Sequence, residues 1–221
     1  TRGLLAALTK MLGLVVTPDE ILAYVYGLLG TAAFGEWVAQ SGFPETSPPR
    51  IPVTADPQVF AEVVEIGRQL IWLHTGGERF EPRRGTPFPQ GTGKEQSPVR
   101  TYPESYSYDK KTRELTIGDG RFATIDLEVW SYEVSGLKVV QSWLGNRMAA
   151  GKGKKSSPLD DIRPERWTFT TELLQLLAII EQTVLLTPVA ADLIARVVAG
   201  PLILAADLPE PTEAERKASG V

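Results

Sequence analysis

Arg113-Glu114-Leu115-Thr116-Ile117-Gly118-Asp119-Gly120-Arg121-Phe122-Ala123-Thr124-Ile125 is the stretch on which the fold class turns. Apolar and polar residues alternate at the strand period on either side of Gly118-Asp119-Gly120, which is the signature of a β-hairpin. The pattern predicts a small antiparallel sheet containing Leu115, Ile117, Phe122 and Ile125, with Trp130 and Trp143 partly buried beside it. Elsewhere helical spacing dominates. The predicted class is therefore α+β: a predominantly helical domain with a small antiparallel β-sheet or hairpin.

Upstream, Leu4, Leu5, Leu8, Met11 and Leu12 predict a short helix ending near Gly13. Thr17-Pro18-Asp19-Glu20 reads as a helix start, with Thr17 as cap, Pro18 in the first turn and Glu20 completing a capping box. The apolar stripe from Ile21 through Val25, Leu29, Phe34 and Trp37 extends that helix to about Gln40. Prolines 44, 48, 49 and 52 make the next segment an extended connector. Asp56-Pro57 starts another helix that runs to about His74.

From Gly76 to Pro103 the sequence is rich in Gly, Pro, Arg and Thr, predicting a long loop with little core of its own. After the hairpin, Leu127 to Val134 suggests a short helix or turn. Ser135-Gly136 breaks it before helical spacing resumes at Val139, Val140, Trp143 and Leu144. Gly151 to Pro158 is a basic link. Two closing helices are predicted, Thr168 to Leu186 and, after Thr187-Pro188, Val189 to Val198. The predicted organisation is a lead-in helix over 1–16, one domain over 17–200 and an acidic, fraying tail over 201–221.

The chain has 221 residues, 43% apolar and 23% charged, the balance of a folded globular chain. With no cysteine it has no disulfide, thiolate metal site or cysteine nucleophile, which suits a reducing, cytoplasmic setting. Thr187, Pro188 and Asp192 interrupt the most apolar stretch, Leu173 to Leu204, short of the roughly 18 residues a membrane span needs. The start, Thr1-Arg2-Gly3-Leu4-Leu5, has neither an initiator Met nor a leader pattern and reads as a piece of a longer polypeptide.

No dinucleotide fingerprint, complete phosphate loop, zinc-protease motif or paired-Cys spacing occurs, so no catalytic or metal-binding residues are assigned. The single histidine, His74, reads as a packed or helix-end residue. Asp160-Asp161 reads as a turn or cap. Gly91-Thr92-Gly93-Lys94 lacks the spacing of a phosphate loop and reads as a plain loop.

Charge is the positive signal. The net charge is -4, yet residues 79–155 hold 14 Lys and Arg against 9 Asp and Glu, while the rest hold 9 against 18. The candidate nucleic-acid contacts are Arg79, Arg83, Arg84, Lys94, Arg100, Lys110, Lys111, Arg113, Lys152, Lys154 and Lys155. Such groups neutralise phosphates with release of counterions, and arginine can also reach base edges.

The order of segments then resembles a known family. Val16 through Leu29, the Pro49-Arg50-Ile51-Pro52 run leading to Phe60, and Glu65 through His74 are similar to the start of the C-terminal target-recognition domain of Type ISP restriction-modification enzymes. Trp130, Tyr132, Val134, Gly136, Val140, Trp143-Leu144 and Arg147, followed by Leu159 to Leu186, resemble its later segments, so the likeness runs from about Thr17 to Val198. It implies a recognition domain for double-stranded DNA that is not itself an enzyme. The upstream parts of the same polypeptide would supply an adenine N6-methyltransferase and an ATP-driven translocase. No cofactor is implied in this chain, whereas S-adenosylmethionine and ATP are implied for the parent. Two other readings stay open: a docking domain that does not read DNA, and a free-standing hydrolase, against which the single histidine counts.

Overall fold

The computed structural model describes residues 2–40, 51–149, 165–210 and 212. The chain divides into two compact units, 1–86 with 186–221, and 87–185. The basic link 151–158, with Lys152, Lys154 and Lys155, lies outside the described residues, as do most of the proline connector and nearly all of the tail beyond Glu210.

In the first unit, α1 spans Arg2–Leu12 and α2 spans Pro18–Leu29. The capping box forms as predicted: Thr17 Oγ1 accepts from the Glu20 N–H at 3.3 Å, and the Glu20 carboxylate accepts from the Thr17 N–H at 2.7 Å. The single helix expected to reach Gln40 is instead two, because α3 begins afresh at Ala32–Gln40, bent by 66° from α2. Gly30 closes α2 by donating to Tyr26 O at 2.7 Å, and the buried Thr31 hydroxyl accepts from the Ala33 N–H to open α3. A stop and a cap are thus side by side within an uninterrupted apolar pattern.

α4 spans Pro57–His74, capped by Asp56 Oδ1, which accepts from the Gln58 and Val59 N–H groups. It packs on α2 at very close range through facing glycines. A Cβ on Gly67 would lie 1.7 Å from Ala23 O, and one on Gly27 would lie 2.4 Å from Val63 O. Tyr24 stacks on Phe60 with ring centroids 4.7 Å apart. Its hydroxyl donates to Pro52 O at 2.9 Å and accepts from the Thr54 N–H at 3.1 Å, so a buried phenol fastens the strand-like segment leading into α4. Ile203 N–H donates to Val53 O and Ala55 N–H to Pro201 O, which ties the first residues of the sequence-assigned acidic tail to that segment.

The second unit carries the sheet. Strands β1 (Lys94–Ser97), β2 (Tyr106–Asp109), β3 (Glu114–Ile117) and β4 (Gly120–Ala123) form an antiparallel sheet in the order β1-β4-β3-β2. The hairpin predicted around Gly118-Asp119-Gly120 is β3–β4, and Leu115, Ile117 and Phe122 are fully buried, with Ile125 just beyond. Trp130 and Trp143 are half-buried against the same core.

The expected loop from Gly76 to Pro103 is corrected in part: it contains β1, and Val99 packs so tightly on β4 that a Cβ on Gly120 would sit 2.4 Å from Val99 Cγ2. β2 was not expected either. Short α5 (Leu127–Trp130) leads to a two-stranded ribbon, β5 (Glu133–Val134) and β6 (Leu137–Lys138), turned by Ser135-Gly136 at positive φ. α6 follows at Val139–Gly145.

The two closing helices are a single one, α7, Thr170–Ala199, with Pro188 inside it. A proline here forgoes one backbone hydrogen bond, which costs about 3 kcal/mol in an isolated helix. Leu173, Leu177 and Ile180 before it are buried in the core of the second unit, and Leu193, Ile194 and Val197 after it in the core of the first. By length and composition alone α7 could cross a membrane, contrary to the expectation that Pro188 and Asp192 would divide the stretch.

Candidate nucleic-acid interface

Arg79, Arg83 and Arg84 lie in the first unit, on the loop that leaves α4, and all three are exposed. The loop is internally bonded. Thr75 Oγ1 accepts from the Arg79 N–H at 3.2 Å, and Glu81 Oε1 accepts from the Gly85 and Thr86 N–H groups at 2.6 and 3.2 Å. Thr86 Oγ1 in turn accepts from the Arg83 N–H and donates to Arg83 O. Phe80, at φ 56°, lies under the Arg68 guanidinium, 5.2 Å from ring centre to Cζ. These bonds present Arg83 and Arg84 at the bend of a defined turn.

Lys94, Arg100, Lys110, Lys111 and Arg113 lie in the second unit, and sheet topology decides which of them meet. β1 runs antiparallel to β4 with Lys94 opposite Ala123, while β3 opens at Glu114, so Lys94 falls at the sheet end that carries the β2–β3 turn. That turn holds Lys110 and Lys111, both exposed, and Asp109 Oδ1 shapes it by accepting from the Lys111 N–H at 2.7 Å. Arg113 is there too, but its Nη1 is 2.6 Å from Asp126 Oδ1 in a half-exposed ion pair. Its backbone, at φ 55°, accepts from the Ile125 N–H.

Arg100 is at the opposite end, where its N–H donates to Asp119 Oδ1 at 3.0 Å. That bond holds the Asp119 carboxyl below its ordinary range, ahead of a smaller opposing effect of burial. Glu95, Asp109, Glu114 and Asp126 share strands or turns with Lys94, Lys110, Lys111 and Arg113, so among the described residues of this sheet the basic groups are interspersed with carboxylates.

Arg121 lies outside the basic runs of the sequence, with its Nε 4.0 Å from Glu114 Oε1. It stands on the sheet face opposite Phe122, in register with Thr116 on one side and Ser97 on the other, with Ser107 next in the row. The strand alternation that located the hairpin also implied this placement. Arg147, a residue of the family resemblance, is engaged within the fold: its guanidinium lies 3.8 Å from the Trp143 ring centre and 5.1 Å from that of Phe169, and Nη1 donates to Trp143 O. Burial lowers its pKa, with Glu172 and Tyr102 acting in the opposite direction.

His74 Nδ1 is 2.8 Å from the Tyr26 hydroxyl, at the end of α4. Desolvation there moves His74 below its ordinary pKa although part of the side chain remains open to solvent. In Gly91-Thr92-Gly93-Lys94 the Thr92 N–H donates to Glu181 Oε2 at 2.8 Å, so this amide is committed internally and the run does not form an ATP phosphate cradle.

The family model described as the Type ISP C-terminal specificity domain matches residues 1–177. Among curated proteins none matches. One similar solved structure is that of a nuclease-deletion mutant of the Type ISP restriction-modification enzyme LlaGI in complex with a DNA substrate mimic. It has a TM-score of 0.50 and 18% identity, over 80% of this chain and 14% of that one. Another is the cryo-electron-microscopy structure of the DrdV–DNA complex, with a TM-score of 0.52 and 21% identity, over 89% of this chain and 19% of that one. This chain therefore spans less than a fifth of either neighbour, and at such identities the likeness is one of fold.

Proposed function

We propose, from the premise that this chain belongs to the Type ISP C-terminal specificity domain family, that it recognises a target sequence in double-stranded DNA and supplies that specificity to a larger restriction-modification polypeptide. The chain does no chemistry of its own in this reading. An adenine N6-methyltransferase using S-adenosylmethionine and an ATP-driven translocase, both in the cytoplasm, would act upstream in the same polypeptide. The observation that carries the reading is the family match over 1–177, and both structural neighbours are described as complexes with DNA or a DNA mimic.

Division of labour follows from side-chain chemistry. Lys94 and, on the turn at the other edge, Lys110 and Lys111 lie at the same end of the sheet and are point charges suited to phosphate contact, which fixes register without reading sequence. The sequence-assigned Lys152, Lys154 and Lys155 would add to that field. Arg79, Arg83, Arg84 and Arg100 carry planar guanidinium forks that can pair with guanine O6 and N7. Arg113, tied to Asp126, serves the fold of its turn before any contact outside it.

Anisotropy of a labelled duplex across a salt series tests the proposal. Each lost phosphate contact in Lys110→Ala or Lys111→Ala should flatten the log–log salt slope by about 0.9 and weaken all sequences alike. Arg83→Ala should instead relax preference at one position at a cost of roughly 1–3 kcal/mol. Absence of salt-dependent binding by the folded chain would refute it.

A second reading, docking onto the rest of the polypeptide, draws on the β5–β6 ribbon, whose cross-strand pair Val134 and Leu137 stands 50% and 57% exposed at the turn. Under that reading Val134→Ser with Leu137→Ser would loosen association with the upstream parts while leaving duplex affinity unchanged.

A further inference from the structure

Within the second unit a cavity of about 410 Å³ lies between the segment Phe88–Lys94 and the first turns of α7. Thr171, Leu174, Gln175 and Ala178 form its helical wall, at the three- and four-residue spacing of one helix face. The facing segment is fastened. Gly91 comes so near α7 that a Cβ there would lie 2.8 Å from Glu181 Oε2 and 3.0 Å from Ala178 Cα. Thr92 N–H donates to that same carboxylate, and the Thr92 hydroxyl donates to Thr124 O at 3.1 Å. The walls are therefore set before anything binds.

The lining has three kinds of chemistry. Phe88, Pro89 and Leu174 supply an apolar, partly aromatic wall; Gln90 and Gln175 supply side-chain amides; Lys94 supplies an ammonium group where β1 begins. An aromatic wall stacks a planar base, a glutamine amide matches the paired donor and acceptor of adenine N6 and N7, and a lysine meets a phosphate. We propose that this cavity is a single-nucleotide site that takes one purine base with its phosphate, either as a free mononucleotide or as a nucleotide unstacked from a DNA strand. The proposal goes beyond sequence reading by the sheet end and loops, and it does not depend on it.

Two probes that keep adenine N6 and N7 distinguish the sources: 8-vinyl-deoxyadenosine monophosphate, and a duplex carrying 8-vinyladenine at one position, each titrated with the full chain and followed by fluorescence. A saturable change with at least one probe is expected; mononucleotide alone assigns a free ligand, and duplex alone assigns an unstacked one. Phe88→Ala and Gln175→Trp, which respectively remove the stacking wall and fill the cavity from an exposed helix position, should each weaken that change by about tenfold or more with far-UV circular dichroism retained. Lys94→Ala should weaken the nucleotide but not the phosphate-free nucleoside. Silence of both probes, or a response indifferent to both Phe88→Ala and Gln175→Trp, would overturn the site. If the duplex binds by anisotropy while its 8-vinyladenine stays silent at every position and the mononucleotide fails, the site falls and DNA reading stands.

Discussion

Adding one methyl group at Gly67 should destabilise the first unit, although alanine is the better helix former. In a solvent-exposed helix interior, Gly→Ala gains about 1 kcal/mol. At Gly67 the new Cβ would lie 1.7 Å from Ala23 O and 2.9 Å from Gly27 N, and both are backbone atoms of α2 that cannot rotate aside. Relief requires α2 and α4 to move apart by more than about 1 Å, loosening the Tyr24–Phe60 stack and the contacts of Val63 and Leu70. Overpacking in a close-packed core costs roughly 1–3 kcal/mol even where side chains can yield, and backbone clashes lie at or above the upper end. The net expectation is a loss of about 2 kcal/mol, or a Tm lower by roughly 4–8 °C for a chain of this size. Gly35, exposed in α3 with nothing within 4 Å of a built Cβ, is the internal control: Gly35→Ala should stabilise by about 0.5–1 kcal/mol. Thermal and urea unfolding followed by circular dichroism read both variants. If Gly67→Ala matches the wild type or exceeds it, the helix contact as described is wrong.

Tyr24→Phe removes the donor to Pro52 O and the acceptor for the Thr54 N–H, and leaving these buried groups unmatched should cost about 1–3 kcal/mol in urea unfolding. Burial pushes the Tyr24 phenol up to about 12 from 10.0, so the folded state holds its proton more tightly; stability should fall as pH rises from 10 toward 12, and Tyr24→Phe should lose that slope. His74, the sole histidine, should titrate below 6.5 by NMR because desolvation disfavours its charged form, and its contribution to stability should fade as pH drops through that range; a midpoint above 6.5 would contradict the packing beside Tyr26.

How much of this could be read from sequence depended on whether local chemistry acted alone. Thr17-Pro18 with Glu20, and Asp56-Pro57, each contain a complete helix start, and both helices begin where those residues place them. Gly118-Asp119-Gly120 likewise specified its hairpin, and the alternation on either side placed Leu115 and Phe122 inward. Lys94–Ser97 could not be read as a strand: it has no aliphatic residue, and its pairing with β4 is supplied by tertiary structure. Tyr106–Asp109 does alternate, with Tyr108 stacked on Trp130, but four residues give the period too little length. Pro188, which reads locally as a break, stands inside α7, and the residues before and after it are buried in the cores of different units.

The site divides in the same way. Runs such as Lys110-Lys111 were visible as composition, whereas the strand crossing that sets Lys94 at their end of the sheet is long-range, and so is the Asp126 carboxylate that engages Arg113. The cavity beside α7 depends on Gly91 and Ala178 being small where segments 87 residues apart approach, which no local pattern records.

Selection from a pool of duplexes with a randomised core, using the chain alone at near-physiological salt, measures whether this chain reads DNA sequence. The expected result is convergence on one consensus, bound on the order of 10³-fold or more tighter than a scrambled duplex of the same length. Retention of no duplex, or of a pool with no sequence preference after repeated rounds by a chain whose circular dichroism shows it folded, would contradict it.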